Sequence, residues 1–380
     1  MKNTSSDLSM KGDGFYDAHS QVQSSVIQSL VPLIQSFVNH IPASENSKPF
    51  CIVDYGCSEG KNSIAVVSAS INAVRALRPA EHFFVVHEDL PANNFNRLIS
   101  QLYGSSADKL ASLYGGTPEC PVFVYASGSS FYSRVVPNNF MHLGISSSSV
   151  HWTSSRPRFR KHIFQAEATV AEQAQYAEIA GKDWLLFLEN RARELIPGGR
   201  LVVTMAARIA SANDSIEGSN PRQAETFSAQ SIARLLDDVL QEMVRERLIE
   251  PGALEQFALP IYCRSRDEIL SPIKEVFEQQ LSVDYFKMEW VQCPIHAKFI
   301  ENGDAAAYAS GLTGILRAFS EPILASGLFG ITDRRASARQ SSGAEEIMTR
   351  VYRRVEQHIL RKPYEYSFYP CHATIILSRL

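Results

Sequence analysis

Several features are scarce or missing in this 380-residue chain, and each gap narrows what it can do. Its six cysteines, Cys51, Cys57, Cys120, Cys263, Cys293 and Cys371, are scattered, with no Cys-x-x-Cys pair. Cys293 and His296 form one Cys-x-x-His pair, but no second pair at zinc spacing accompanies it, and no His/Asp cluster has metal spacing, so no metal is expected. No apolar run approaches the ~20 residues that span a membrane. A formal net charge of -3 argues against a nucleic acid partner. There is no Walker loop, no order of Ser, His and Asp that suggests a hydrolase, and no internal repeat. No signal peptide is visible, so the cysteines read as reduced thiols in a cytoplasmic protein.

What remains is an ordinary globular composition, 45% hydrophobic and 20% charged. The length suits one large domain or a core with an inserted cap. Gln21–Ile41 carries Val22, Ile27, Leu30, Ile34, Phe37 and Ile41 at helical spacing, with Pro32 predicting a kink. Strand-like runs follow at Cys51–Tyr55, His82–Val86, Val122–Ala126, Met141–Ser146 and Leu201–Ala206, mostly separated by helical patterns. That alternation predicts an α/β fold with a mostly parallel sheet covered on both faces. Asp183–Leu195 reads as a helix stopped by Pro197-Gly198-Gly199. Beyond residue 210 the alternation fails. Phe227–Leu248 and Gly303–Leu328 read as helices, Leu281–Trp290 and Ala373–Leu377 as strands that complete the sheet. Ser211–Gln223 and Asp333–Gly343 read as polar, flexible segments, and the first nine residues as loose. The expected division is a core over 1–210, a mainly helical cap over 211–365 with a core strand near 281–290, and a final core strand over 366–380.

The most informative stretch is Ile52-Val53-Asp54-Tyr55-Gly56-Cys57-Ser58-Glu59-Gly60-Lys61-Asn62: a buried strand, a small-residue turn and a helix start. Gly56 and Gly60 let the backbone approach a ligand, and the following helix directs free N–H groups at the turn. The spacing Asp-x-Gly-x-x-x-Gly differs from Gly-x-Gly-x-x-Gly, which is built around a pyrophosphate. An acidic strand end suits instead the positive charge of S-adenosylmethionine (SAM). The same turn also serves α/β folds that bind nothing there. Asp89, with Leu90, ends the second predicted strand, where a carboxylate can accept two hydrogen bonds from a ribose diol or simply be a solvated loop acid. Ser130 and Phe131 follow the third, with room for adenine and a ring to stack on it, or a Gly/Ser turn followed by core aromatics. Ser148, His151 and Trp152 close the fourth; the two large side chains offer N–H donors for an anion, or plain packing. Ser20 and Gln23 share one face at a helix start, though Ser20 is also an obvious N-cap.

In this order, these pieces resemble the SABATH family of SAM-dependent carboxyl methyltransferases, known from salicylic, benzoic and jasmonic acid methylation and from caffeine-pathway N-methylation. Met10-Lys11-Gly12 through Tyr16, Ser20 and Gln23 resemble the family's opening motif. Asp54–Asn62 resembles Asp-Leu-Gly-Cys-Ser-Ser-Gly-Pro-Asn, and Asp89–Asn96 resembles Asp-Leu-Pro-x-Asn-Asp-Phe-Asn. Ser130–Arg134, Ser146–Trp152, Arg193–Arg200 and Arg317–Pro322 match later segments.

The resemblance implies a Rossmann-like SAM-dependent methyltransferase core with a seven-stranded, mostly parallel sheet and a helical cap. It implies SAM bound by Tyr16, Ser20, Asp54, Gly56, Cys57, Asn62, Asp89, Leu90, Ser130 and Phe131. It puts Lys11, Gln23, Ser148, His151 and Trp152 on the substrate side, with Gln23, Trp152 and His151 at the reaction centre, and it implies a homodimer. The expected reaction is methyl ester formation on a small-molecule acid, aromatic or dicarboxylic. An N-methyltransferase of a small heterocycle and a non-catalytic SAM-binding partner subunit stand as alternatives. His19 replaces the family Asn, Ser148 replaces a Tyr that walls many aromatic pockets, and Arg156, Arg158, Arg160 and Lys161 make the segment after Trp152 basic. That run reads as a solvated loop or as a grip on a second acidic group.

Overall fold

Phe50–Tyr55 (β1) is buried at every position and forms the middle of the sheet. The computed structural model describes residues 10–44, 48–104, 109–160, 162–211, 216, 225–255, 257–329 and 338–380. Period-2 alternation sends the side chains of β1 to two different cores. Cys51, Val53 and Tyr55 pack with Trp184, Phe187 and Leu188, whereas Phe50 and Ile52 pack with Leu30, Ile34, Val67 and Val74. A strand covered on both faces reads as a near-continuous apolar run, and this one does until Asp54 near its end.

The other strands are Phe83–Asp89 (β2), Val122–Gly128 (β3), Met141–Ser147 (β4), Leu195–Ala206 (β5), Leu281–Trp290 (β6) and Cys371–Arg379 (β7). Their order is β3-β2-β1-β4-β5-β7-β6. The pairs from β3 to β5 are parallel, and β7 runs antiparallel between β5 and β6. The order reverses between β1 and β4, so the crevice for a ligand lies at their carboxyl ends.

The helices are Phe15–Ala18 (α1), Gln21–Phe37 (α2), Lys61–Leu77 (α3), Phe95–Tyr103 (α4), Lys109–Tyr114 (α5), Val170–Glu194 (α6), Gln230–Arg245 (α7), Pro251–Leu254 (α8), Arg266–Val276 (α9), Pro294–Asn302 (α10), Ala305–Phe329 (α11) and Ala338–Arg361 (α12). Pro32 sits inside α2 without ending it. The helix expected from Asp183 begins at Val170, behind a capping box of Thr169 and Glu172 that the sequence carries openly. It ends at Glu194, and Pro197-Gly198-Gly199 falls inside β5, with Gly198 at φ +78 and a register shift opposite, between Met141 and Leu143.

A third core joins Leu236 and Leu240 of α7, Leu312 and Leu316 of α11, and Val351 and Val355 of α12. These helices form the cap. By contrast α9 lies with the sheet, its Ile269 and Ile273 in the cluster of Trp184. The flexible segment expected at Asp333–Gly343 is helical from Ala338, because Ala338, Arg339 and Gln340 are strong helix formers. Its earlier part, the first nine residues, Lys161, and all of Ser211–Gln223 except Ser211 and Ile216 lie outside the described residues. Among the described residues, no helix is long and apolar enough to cross a membrane, and no group of His, Cys, Asp and Glu has the makings of a metal site.

Candidate active site

The turn after β1 is shaped by its two glycines. Gly56 has φ +88, and a Cβ there would lie 2.2 Å from Ser149 Oγ; at Gly60, φ +110, it would lie 2.6 Å from Leu98 Cδ1. The close approach they allow is therefore to neighbouring protein segments, which seals the turn against β4 and α4. Glu88 O accepts the N–H groups of Gly56 and Cys57 at 2.9 and 2.8 Å. Asp89 accepts Ser58 N–H at 2.6 Å on one carboxylate oxygen and Leu90 N–H at 2.7 Å on the other. Each oxygen keeps a lone pair for a further donor.

Asp54, at the end of β1, accepts a hydrogen bond from Ser63 Oγ. Ser63 Oγ also lies 2.6 Å from His87 Nδ1, and His87 Nε2 lies 3.0 Å from the Tyr114 hydroxyl. Burial pushes His87 down to about 3, so its ring is neutral and has one proton to place. With Asp54 ionised, one order satisfies every group: Tyr114 donates to His87, His87 to Ser63, and Ser63 to Asp54. Protonation of Asp54 lets the chain reverse. Burial raises Asp54 to about 7, opposed by Ser63 and assisted by Asp89, and burial raises Asp89 to about 6. Burial, with Asp89 adding, also holds Glu88 well above the carboxylate range. The crevice thus concentrates acids that a cation would bring into their charged form.

The loop after β3 is held from below by a buried ion pair. Arg191 Nε meets Glu194 Oε2 at 2.6 Å, with both side chains fully enclosed. Arg191 donates to Phe131 O at 2.6 Å and to Ser133 O at 2.7 Å, and Glu194 accepts from Val136 N–H at 3.2 Å and from Tyr55 O–H at 2.6 Å. The loop after β4 has its own anchor. Arg264, buried, donates to Val150 O at 2.8 Å and to Ala180 O at 2.7 Å.

Three adjoining cavities lie at this end of the sheet. One, about 930 Å³, is lined by Gly56, Asp89, Leu90, Ser130, Phe131, Ser148 and Trp152 among others. A smaller one, about 380 Å³, is lined by Asp54, Gly56, Cys57, Asn62, Ser63 and Gln23. The third is a chamber of about 910 Å³ under the cap, walled by Val22, Phe164, Ile232, Leu316, Phe319 and Phe368, and it includes Gln23, Ser148, His151, Trp152 and His372. Tyr16 lines all three, and burial raises its phenol so that it stays neutral. Ser148 and Trp152 belong to both large cavities, and Gln23 to the chamber and the small one.

At this junction several polar groups lack partners. Gln23 Oε1 and Ser148 Oγ are buried with no hydrogen bond among the described residues. Ser148 is held at φ +57 by its N–H bond to Thr204 O at 2.9 Å. His151 accepts Ala206 N–H on Nδ1 at 3.3 Å, and burial pushes the ring down to about 3, so its one proton sits on Nε2.

A profile of the family described as SAM dependent carboxyl methyltransferase matches residues 5–378. The chain belongs to that family. It is 29% identical over 326 residues to the S-adenosyl-L-methionine:benzoic acid/salicylic acid carboxyl methyltransferase 3 of Petunia hybrida, covering 83% of this chain and 85% of the relative. It is 28% identical over 298 residues to the probable jasmonic acid carboxyl methyltransferase 2 of Theobroma cacao, covering 73% and 76%. Its fold matches that of a loganic acid methyltransferase solved with SAH, with TM-score 0.73 at 22% identity, over 97% of this chain and 98% of that one. The protein is a SAM-dependent carboxyl O-methyltransferase with the Rossmann-like fold that its motifs implied.

Most residues singled out in the sequence converge on the three cavities of this methyltransferase. Two stand apart. Lys11 is paired with Glu321 at 2.7 Å and lines none of them, so it ties the N-terminal segment to α11. Ser20 occupies the N-cap of α2 without a capping bond; it is buried, and its hydroxyl donates to Asp17 O at 3.4 Å. His19 stacks on Phe15 at 4.2 Å rather than facing a cavity. Arg158 and Arg160 are exposed and line none of the three cavities. Arg156 lies against the Phe257 ring and Ser326 of the cap. Sequence reasoning missed Arg191, Glu194, Arg264 and His372. For Arg264 a signal existed, a charge that ends the otherwise uncharged run Phe257–Cys263.

Proposed function

We propose that the two crevice cavities hold SAM and that the chamber holds a sizeable apolar monocarboxylic acid. The observation that carries this is the junction, where Tyr16, Ser148 and Trp152 face both sides and the Gln23 carbonyl and Ser148 hydroxyl wait unpartnered. Asp54, Gly56, Cys57 and Asn62 would hold the amino-acid end, Asp89 and Leu90 the ribose, and Ser130 and Phe131 the adenine. The clustered acids and the free lone pairs of Asp89 fit a cationic, diol-bearing cofactor. When bound, SAM supplies a methyl group on a positively charged sulfur.

The chain's own residues then have a positional task. A carboxylic acid with an ordinary pKa near ~4 is ionised at neutral pH and needs no general base. Gln23 and Trp152 would donate N–H groups to its oxygens, and His151, whose proton is fixed on Nε2, offers a third donor. Alignment of this kind supplies about 7–11 kcal/mol. The cap excludes water. No ionised side chain lines the chamber among the described residues, so a second carboxylate would meet no cationic partner there. That supports a monoacid over a diacid. The relatives' benzoate, salicylate and jasmonate substrates are the starting panel.

We read residues 1–210 with 366–380 as core and most of 211–365 as cap. A homodimer is the working unit we propose; exposed Phe123 and Tyr125 on edge strand β3 supply an apolar face for it, and light scattering tests it. Six free thiols suit the reducing cytoplasm, which cell fractionation checks. The reaction itself is tested by a methyl-transfer screen against free acids and diacids. Turnover of apolar monoacids supports the reading, and turnover of diacids alone overturns it.

A further inference from the structure

His372, the second residue of β7, projects into the chamber wall and is 6% exposed. Its Nδ1 is buried with no hydrogen-bond partner among the described residues. It differs in this from the chamber's other histidine. β7 pairs His372 with Ala206 of β5, and the N–H of that same Ala206 fixes the tautomer of His151. The two rings are near enough that His372 disfavours charge on His151. So one histidine has its donor and acceptor assigned, and the other is left open.

We infer that His372 reads a hydroxyl group of the acid substrate, a group other than its carboxylate. This rests on the reading of the chamber as the acid's site. The location follows from the cavity walls: His372, like His151 beside it, lines the chamber and neither of the crevice cavities. The chemistry follows from the ring. Burial pushes His372 down to about 4, so it is neutral at physiological pH. A hydroxyl suits either neutral tautomer, since it donates to a bare nitrogen and accepts from an N–H. A carbonyl would suit only one tautomer. A site built around an unpaired polar group discriminates against an analogue that leaves it unpaired.

The test is kcat/KM for pairs of acids that differ by one hydroxyl on the apolar part: benzoate with its hydroxybenzoates, indole-acetate with ring-hydroxylated forms, fatty acids with mid-chain hydroxy acids. The wild-type protein should prefer the hydroxy acid about tenfold in at least one pair. His372→Phe, a flat ring without nitrogen, should bring that ratio toward one. His372→Asn, which puts an amide near the height of Nδ1, should restore part of it. Equal kcat/KM in every pair, as a resident water on Nδ1 would give, overturns the inference; so does a preference that survives His372→Phe. Melting temperature and SAM affinity report whether each variant folds, and His372→Leu replaces the phenylalanine if that one does not. Absence of turnover with every acid, with SAM bound, counts instead against the chamber as the acid's site.

Discussion

Replacing Asp54 with Asn should stabilise the free protein and weaken its hold on SAM. Burial lifts Asp54 from 3.8 to about 7. The native state therefore keeps a proton that the unfolded chain has lost between those values. By linkage, this group's contribution to stability is fully present below pH 3.8 and is lost as pH rises through about 7. The shift is roughly 3 units, which sets a ceiling of ~4 kcal/mol on the cost of an ionised Asp54 in the free enzyme. Asparagine keeps the shape and an acceptor for Ser63 but cannot ionise. At pH 8 the free variant should melt several degrees above wild type, and near pH 4 the difference should vanish. A cation in the crevice reverses the preference. Wild-type SAM affinity should fall as pH drops from about 8 to about 6, with proton release on binding, and Asp54→Asn should remove most of that slope. Asp89, raised to about 6, titrates lower, so its share of the slope should survive in the variant. Calorimetry in two buffers of different ionisation enthalpy counts the protons, and thermal melts give the stability. If the variant binds SAM as wild type does at pH 8, or melts lower without ligand, the reasoning about Asp54 is wrong.

Trp152→Phe keeps the aromatic body and removes the N–H; kcat/KM should fall about a hundredfold while SAM affinity holds, and unchanged turnover would remove Trp152 from the reaction centre. Gln23→Ala should lower turnover comparably and also disturb SAM, since Gln23 lines both sides, which equilibrium binding will show. Gly56→Ala would place a Cβ 2.2 Å from Ser149 Oγ at φ +88, so SAM binding should collapse with a loss of ~1–3 kcal/mol in stability by urea melt. Arg191→Ala leaves Glu194 buried and unpaired; a loss of about 3–5 kcal/mol is expected, and a loss below about 1 kcal/mol would mean that the loop carrying Phe131 is held by other contacts.

The strands of the core were legible because burial on both faces leaves a plain mark: a near-continuous apolar run, as at Phe50–Val53. Their boundaries were less so. Asp89 and Gly128 end strands that polar content had seemed to stop earlier, because parallel pairing with a neighbour holds the backbone extended past the last apolar side chain. The start of α6 at Val170 shows the opposite case, a signal present in the capping box and outweighed by the polar residues that follow it. The helix from Ala338 was passed over because its first turns are polar, and only packing against α11 through Met348, Val351 and Val355 defines its apolar stripe.

The site divides along a different line. Asp54, Gly56 and Asp89 sit at strand ends, and a strand end is a place that sequence alone can find. Gln23, Ser148 and His372 are marked by what they lack, a hydrogen-bond partner in a buried setting. Leaving such a group unpaired costs ~1–3 kcal/mol, and on the proposed reading a ligand would complete the three that line one junction and chamber. No residue type announces that deficit, because it is a property of the surroundings in space. Motif resemblance pointed to Gln23 and Trp152, which line the junction and on the proposed reading would serve the part of the reaction common to every acid. It did not recover His372, nor the walls at Phe164, Ile232, Leu316 and Phe368. These residues come from segments far apart in the chain, and each reads by itself as ordinary core. On the proposed reading they would touch the part of the substrate that differs from one acid to another, so the choice of acid would rest on residues that resemblance passes over.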